Sequence, residues 1–270
     1  MVVAAGGTMS SGGEGLPVLW QITFSHFNEK ARWALDYKGI AHRRHSLAPG
    51  THVRRAKRLW GGSTTPILEL DGRFIGDTTE IIAELERLHP EPALYPRADG
   101  QRRRALDLEE HFDTELGPYI RGAVFDAMLP RRNALVPISV QQLGTGTKVA
   151  HQLLYPLSKR VIRRQLVDAA GGPEHCRGKT VDALDRLEAE LDGGDHLVGD
   201  RFSVADLTAA ALFSPLVAPP EYPYELFQDR WTEGWQEFRG SLSERSGFRW
   251  VAETYRRHRG SSAEVVAEAR

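Results

Sequence analysis

The fold is decided by one stretch of the chain, Ile67-Leu68-Glu69-Leu70-Asp71-Gly72-Arg73-Phe74-Ile75. Two strand-favouring runs joined by Asp-Gly form the strongest short-range signal for a β-hairpin, because these two residues accept the positive φ angles of a tight turn. Pro66 stands directly before the first run. A proline has no N–H to donate to a sheet, so it suits the start of a strand. The stretch therefore predicts two antiparallel strands.

Elements of alternating type surround this hairpin. Residues 18–24 favour a strand, and the helix predicted after it has its apolar residues on one face, at Phe27, Ala31, Ala34 and Leu35. Residues 41–47 predict a polar strand near a sheet edge, and residues 52–60 predict a short helix. A further helix is predicted from Asp77, with an apolar face at Ile81, Ile82, Leu85 and Leu88. The order β-α-β-α-β-β-α predicts a thioredoxin-like α/β domain with a mixed sheet.

The rest of the chain has helical periodicity and no convincing strand pattern. After a linker that contains several prolines, helices are predicted near residues 106–116, 157–166 and 181–191. Residues 207–213 are nearly all apolar, as expected of a helix buried on every side. Residues 127–150 predict a loop or a broken helix. The second half is therefore expected to be all-helical.

These patterns divide the chain into two domains and two tails. We expect a tail at residues 1–15, the thioredoxin-like domain at 16–96, the helical domain at 97–262, and a second tail at 263–270. The first fifteen residues lack the basic start and the apolar run of a signal peptide, so the cytoplasm is the expected location.

The composition excludes several classes of function. Lysines and arginines number 35 and acidic residues 36, a net charge of -1, so no basic field exists for nucleic acid or an anionic membrane. A single cysteine, Cys176, excludes an intrachain disulfide and argues against a cysteine-based metal site. The ten histidines show no metal-ligand spacing, so no metal is expected.

Ser25 stands where the first strand gives way to the first helix. A helix N-terminus carries partial positive charge and unpaired N–H groups, so an anion placed there is stabilised. Lowering the pKa of a thiol, about 8.5 when free, by about two units requires about 2.7 kcal/mol. A hydrogen bond to a charged group supplies roughly 1.5–3 kcal/mol and the helix dipole roughly 0.3–1 kcal/mol. One serine and one helix end can therefore activate a bound thiol; the alternative for Ser25 is a helix cap alone.

Two further positions have the chemistry of a peptide-binding site. A cis bond between Thr65 and Pro66, which only about 5–6% of such bonds adopt, would turn the Thr65 backbone towards a peptide ligand. Asp77 offers a carboxylate to an ammonium, while Thr78 and the helix end offer a hydroxyl and N–H groups to a carboxylate. Asp77 and Glu80 also have the spacing of a capping box, so a plain helix cap is the alternative there.

Together these features resemble the glutathione transferase family, in its cytosolic form with serine at the active-site position. The segment Ser25-x-x-Asn28-x-Lys30-x-Arg32 is similar to the family's active-site segment. Thr65-Pro66 falls where the family has its cis-proline, and Asp77-Thr78 matches its acidic and hydroxyl pair for the γ-glutamyl group. The resemblance extends over roughly residues 16–256.

The helical half contains an independent match. In Gly199-Asp200-Arg201-Phe202-Ser203-Val204-Ala205-Asp206-Leu207, Ser203 and Asp206 have N-cap and N3 spacing, and Phe202 and Leu207 have the spacing of a hydrophobic staple. A box of this kind before a buried helix is typical of the family's second domain. Its role there is structural.

The resemblance implies a glutathione site, an electrophile site against the helices and a homodimer. It implies that Ser25 is catalytic and that glutathione, the co-substrate, contacts Thr65, Pro66, Asp77, Thr78, Asn28, Lys57 and His52. His52, Lys57 and Arg58 are the candidates for holding the glycyl carboxylate. Tyr119, Phe125 and Met128 are candidates for the electrophile pocket, with ordinary core packing as the alternative.

No cysteine stands at position 25 or 28, so mixed-disulfide chemistry is disfavoured. The expected enzyme joins glutathione to a small electrophile, or uses glutathione to reduce one. Two alternatives stay open: a non-catalytic module that binds a ligand or a protein, since a fold does not guarantee an activity, and a transferase that uses another low-molecular-weight thiol.

Overall fold

The computed structural model describes residues 15–50, 52–130, 156–224, 226 and 231–266. The predicted order of elements in the first half is confirmed. These elements are β1 (Val18–Gln21), α1 (His26–Tyr37), β2 (Arg43–Ser46), α2 (His52–Leu59), β3 (Ile67–Leu70), β4 (Arg73–Gly76) and α3 (Thr78–Leu88).

The four strands form one mixed sheet in the order β2-β1-β3-β4. β1 runs parallel to β2 and antiparallel to β3, and β3 pairs with β4 through the predicted hairpin, where Leu70 lies opposite Arg73. Asp71 and Gly72 have φ angles of 51° and 74°, the positive values that a two-residue hairpin turn needs. The polar strand β2 lies at an edge, as its sequence predicts.

The second half is helical, and its described residues form no strand element. It comprises α4 (Asp99–Glu115), α5 (Gly117–Met128), a helical stretch at residues 156–162 that continues as a π-helical turn (Arg163–Val167) and a 3₁₀ turn (Asp168–Ala170), α6 (Pro173–Leu191), α7 (Val204–Val217), α8 (Glu233–Leu242) and α9 (Ser246–His258). Most of the predicted broken segment at 127–150, and the tail up to residue 14, lie outside the described residues.

Helix α7 is buried on every side, as its apolar sequence predicts. The capping box forms at its start: Asp206 accepts hydrogen bonds from the backbone N–H and the hydroxyl of Ser203, both at 2.8 Å. Asp206 also accepts from the Leu197 N–H at 2.8 Å. The carboxylate thus fixes both the helix start and the loop before it.

Helix α1 joins the two halves, because it packs on α3 of the first half and on α7 of the second. Trp33 on α1 is fully buried, stacks on Phe202, packs on Tyr255, and donates from its indole to the His258 carbonyl at 3.0 Å. This burial of a large aromatic side chain stabilises the contact between the halves.

The chain beyond α9, where a tail is expected from residue 263, hydrogen-bonds to the first half. The Val265 N–H donates to the His42 carbonyl at 2.8 Å, and the Ala263 N–H donates to the Asp36 carboxylate at 2.8 Å. Arg259, just before, pairs with both Glu29 and Asp36 of α1. The buried carboxylates of Glu29 and Asp36 therefore bind the segment that follows α9. These contacts join residues more than 200 positions apart, so local sequence patterns do not encode them.

Candidate active site between the two halves

A cavity of about 910 Å³ lies between the two halves. Its first wall, called here the thioredoxin-like wall, consists of Ile22, Phe24, Ser25, His26, Phe27, Pro49, Gly50, His52, Val53, Thr64, Thr65, Pro66, Asp77 and Thr78. Its second wall, the helical wall, consists of Arg121, Val124, Phe125, Met128, Leu157, Ser158, Val161, Ile162, Gln165, Leu166, Pro215, Leu226 and Trp231. A mostly apolar cleft with a few polar groups is the usual form of a small-molecule site.

Ser25 is the N-cap residue of α1 and lines the cavity. Its hydroxyl oxygen accepts a hydrogen bond from the Asn28 N–H at 3.4 Å, a long bond for a helix cap. The hydroxyl is therefore available as a donor to a group in the cavity, beside the positive end of the helix.

The other residues of the Ser25-x-x-Asn28-x-Lys30-x-Arg32 motif are buried, and Asn28 and Arg32 support the loop that contains Ser25. Asn28 accepts from the Ile22 N–H and donates to the Thr65 hydroxyl, both at 3.2 Å. The guanidinium of Arg32 donates to the Thr23 carbonyl at 3.0 Å and to the Ser25 carbonyl at 3.4 Å. Asn28, predicted to contact glutathione, does not line the cavity; its amide joins the serine loop to the threonine loop.

Lys30 forms a buried ionic cluster with the helical half. Its ammonium lies 2.8 Å from Glu109 and 2.6 Å from Asp113, and the Thr79 hydroxyl hydrogen-bonds both carboxyl groups. Burial raises the pKa of Glu109 and of Asp113, and the Lys30 ammonium offsets only part of that rise. Burial opposes the charge on Lys30, but the two acids raise its pKa above the ordinary value. The cluster fixes the start of α3 against α4.

The bond between Thr65 and Pro66 is cis. Trp60 packs beside this loop and donates from its indole to the Thr64 carbonyl at 3.3 Å. The ring also covers Gly76, where an added Cβ would lie 2.3 Å from the indole. Trp60 thus contacts both loops that carry predicted site residues, at positions 64–66 and 76–78.

Asp77 and Thr78 line the cavity at the start of α3. Asp77 has φ +72°, a conformation that a residue with a side chain rarely adopts and that costs on the order of 1–3 kcal/mol. One oxygen of its carboxylate accepts from the Thr79 N–H at 2.9 Å, so Asp77 is also the helix cap. Strained backbone of this kind concentrates at ligand-binding positions.

Of the three candidates for binding the glycyl carboxylate, one lines the cavity and two do not. His52 lines the cavity, and its Nδ1 accepts from the Gly50 N–H at 3.0 Å, which leaves Nε2 as the donor of the neutral ring. Burial lowers the pKa of His52. Lys57 and Arg58 are exposed on α2 and do not line the cavity.

His26 lies in the cavity wall next to Ser25 and was not singled out by the sequence. Its Nε2 donates to the Gly117 carbonyl at 3.0 Å, so the first residue of α1 is tied to the first residue of α5. Burial, together with the nearby charge of Arg121, lowers the pKa of His26 to about 3. The ring is therefore neutral, and its Nδ1 remains an acceptor.

Helix α5 supplies much of the helical wall. Phe125 and Met128, two of the three predicted lining residues, are part of it, whereas Tyr119 packs against His175 and Lys179. The π-helical turn crosses close to α5 at Gly122, where an added Cβ would lie 2.9 Å from the Leu166 carbonyl oxygen. π-helical turns are frequent at functional sites.

Replacing Gly122 by alanine is expected to lower the free energy of unfolding by about 1–3 kcal/mol, because a backbone carbonyl and a buried sulfur leave no room for the methyl group. The Cβ would lie 2.5 Å from the Cys176 sulfur. Urea denaturation measures the change. Gly178→Ala is the matched control: its Cβ meets nothing within 4 Å, so this variant should equal or exceed the parent's stability. Equal stability of the two variants would contradict the close contact.

Arg121 is the functional candidate that the sequence analysis missed. It lines the cavity, and it is the one basic residue in the apolar sequence of α5, GPYIRGAVFDAM. The signal in the sequence that could have identified Arg121 is a single cation within a mostly apolar helix.

The described residues contain no group of three or more His, Cys, Asp and Glu side chains placed to bind a metal ion. No helix among them is long and apolar enough to cross a membrane.

Two family models match the chain. The model of the glutathione S-transferase N-terminal domain matches residues 19–93, and the model of the glutathione S-transferase C-terminal domain matches residues 163–240. Together the two models match more than half of the chain. The sequence has no match among curated proteins.

Solved structures share the fold at low sequence identity. Glutathione transferase GSTFuA3 from Phanerochaete chrysosporium superimposes with a TM-score of 0.61 at 17% identity, covering 90% of this chain and 97% of its own. The β-etherase LigF from Sphingobium sp. strain SYK-6 has a TM-score of 0.58 at 19% identity, covering 89% and 100%. A glutathione S-transferase from Methylobacterium radiotolerans JCM 2831, in complex with glutathione sulfonate, has a TM-score of 0.50 at 18% identity, covering 88% and 95%.

Proposed function

The chain belongs to the glutathione S-transferase family, and from this membership we propose that it binds glutathione and activates its thiol for attack on a small electrophile. The observation that carries the proposal is the convergence of Ser25, Thr65 and Asp77, from three separate loops, on one cavity. The helical wall of that cavity provides the apolar surface for the second substrate.

The chemistry of each of these residues suits it to one part of the glutathione molecule. The carboxylate of Asp77 takes the γ-glutamyl ammonium, and Thr78 with the start of α3 takes the γ-glutamyl carboxylate. Thr65, which precedes Pro66, pairs with the cysteinyl backbone. Nε2 of His52 donates to the glycyl carboxylate, because His52 is the candidate for that role that lines the cavity.

Ser25 donates a hydrogen bond to the sulfur and favours the thiolate, with the N-terminus of α1 assisting. The thiolate then forms a C–S bond with the electrophile, a leaving group departs or a double bond accepts the electron pair, and the thiol proton passes to solvent. Since Ser25 and Asn28 replace cysteines, conjugation is favoured over mixed-disulfide exchange.

We further propose that the chain forms a homodimer and is located in the cytoplasm. Its role there is the detoxification of reactive compounds. Glutathione is the co-substrate, and no metal takes part.

A thermal-shift panel of thiols tests the binding step. Saturating glutathione is expected to raise the melting temperature, because a ligand that binds only the native state stabilises it by about 2.7 kcal/mol at 100 times Kd. S-methylglutathione should behave similarly, while cysteine should have no effect. Asp77→Asn, which keeps the helix cap but removes the charge, should bind glutathione at least about tenfold more weakly.

A shift with another cellular thiol and none with glutathione would replace glutathione in the proposal. Binding without turnover of any generic electrophile would favour the non-catalytic module. Lys57→Gln is the matched control, because Lys57 is exposed outside the cavity, and its affinity for glutathione should equal that of the parent.

A further inference from the structure

One arginine lies in the apolar half of the cavity. Arg121, Val124, Phe125 and Met128 line it from one face of α5, with the spacing i, i+3, i+4 and i+7. The guanidinium is thus placed on the helical wall, across from the residues proposed to hold glutathione.

Arg121 has no acidic partner among the residues that the structure describes. Its Nε is buried without a hydrogen-bond acceptor, and burial lowers its pKa. The fully or nearly fully buried cations Lys30, Arg32 and Arg259, by contrast, each face a carboxylate. A partly buried guanidinium without an acid among the described residues is costly to the folded protein, so its presence in a cavity points to a ligand that supplies the negative charge.

The one acidic residue of α5 has basic partners of its own. Asp126, also on α5, pairs with Arg163 and Arg177 and does not line the cavity. Among the described lining residues Asp77 is the acidic one, but it belongs to the thioredoxin-like wall at the start of α3.

Arg121 also lies near the position of the reacting thiol. It follows Gly117 by one helical turn, and the Gly117 carbonyl accepts the hydrogen bond of His26, the residue next to Ser25. The charge of Arg121 reaches the His26 ring, whose pKa it helps to lower. A ligand group held by Arg121 therefore shares one cavity with the thiol proposed to bind at Ser25.

We propose that Arg121 binds a carboxylate of the electrophile, so that the preferred substrates are small apolar or aromatic electrophiles that carry one carboxylate. The fork of the guanidinium donates two parallel hydrogen bonds to that group, while Phe125 and Met128 contact the apolar body. The inference rests on the proposed function, because it orients the electrophilic carbon towards glutathione at Ser25.

Turnover of a matched pair of electrophiles tests the proposal. The pair is 4-chloro-3-nitrobenzoate and its methyl ester, with each rate divided by the uncatalysed rate. Glutathione forms the C–S bond as the C–Cl bond breaks, chloride leaves, and the thiol proton passes to solvent. Arg121→Gln is expected to lower kcat/KM for the acid about 10- to 100-fold, the loss of a charge-assisted contact, and to leave the ester unchanged.

Two further variants separate a specific contact from a general effect. Arg121→Lys keeps the charge without the fork and should retain part of the preference for the acid. Arg164→Gln removes the same charge from an exposed position on the π-helical turn, outside the cavity, and should behave as the parent. Equal losses for acid and ester in Arg121→Gln, or no loss at all, would overturn the proposal.

A binding measurement decides the proposal even in the absence of turnover. Unreactive 3-nitrobenzoate should raise the melting temperature of the parent and not that of Arg121→Gln, while methyl 3-nitrobenzoate should not distinguish the two proteins. This result without glutathione-dependent turnover would refute the proposed function and leave the carboxylate site standing. The absence of both a 3-nitrobenzoate shift and a preference for the acid would refute the carboxylate site.

Discussion

Replacing Ser25 by alanine is expected to lower the rate of glutathione conjugation about 10- to 100-fold, the loss of one hydrogen bond to a charged sulfur. Affinity for glutathione should stay close to that of the parent, since Thr65, Asp77 and Thr78 remain. The pKa of bound glutathione, measured from thiolate absorbance at 240 nm, should rise back towards the value of about 8.5 of a free thiol. The effect on turnover should therefore shrink as the pH is raised.

Ser25→Thr is the matched control for this prediction. Threonine keeps both a hydroxyl and a helix cap, so this variant should retain more activity than Ser25→Ala. Undiminished conjugation in Ser25→Ala, with an unchanged thiol pKa, would remove the serine from the mechanism and leave it as the helix cap alone.

The largest expected effect on stability belongs to Lys30. Replacing it by methionine leaves Glu109 and Asp113 buried without their cation, and removal of one partner from a buried ion pair typically costs about 3–5 kcal/mol. Urea denaturation at neutral pH measures the loss. The partly exposed ion pair of Lys179 with Glu115 supplies the control, because Lys179→Met should change stability much less than Lys30→Met does.

The pH dependence of Lys30→Met follows from the same cluster. Burial raises the pKa of both acids even beside Lys30, and without the ammonium these values rise further. Groups with a raised pKa in the folded state bind protons more readily there than in the unfolded chain, so stability increases as the pH falls. The difference from the parent should shrink as the pH is lowered from about 8 towards about 5. A loss that does not depend on pH would contradict an electrostatic origin.

Much of the first half followed from local signals. The Asp71-Gly72 turn, the helix that begins after Ser25 and the polar edge strand β2 each depend on residues close together in sequence. Helices α5, α8 and α9 were not predicted individually. α5 mixes glycine with aromatic residues and lacks a side-chain cap at its start, so the patterns that mark a helix are weak there.

The site residues also divide into those that local sequence marks and those whose contacts depend on distant parts of the chain. Ser25, Thr65 and Asp77 stand at loop and helix boundaries that the sequence marks, and all three line the cavity. The sequence predicts that Asn28 contacts the ligand; in the structure its amide donates to the Thr65 hydroxyl, and Asn28 does not line the cavity. The partner of this buried amide depends on the packing of two loops 37 residues apart in sequence, and local sequence patterns do not encode such packing.

The sequence by itself determined the order of the elements, the hairpin and the hydroxyl at the start of α1, because each of these depends on backbone preferences within a few residues. Only the tertiary structure decided which buried charges are paired. It placed Lys30 against Glu109 and Asp113, and it left Arg121 in the cavity without an acid among the described residues. The reason is physical: the cost of a buried charge depends on what surrounds it after the helices pack, and these neighbours come from distant parts of the chain.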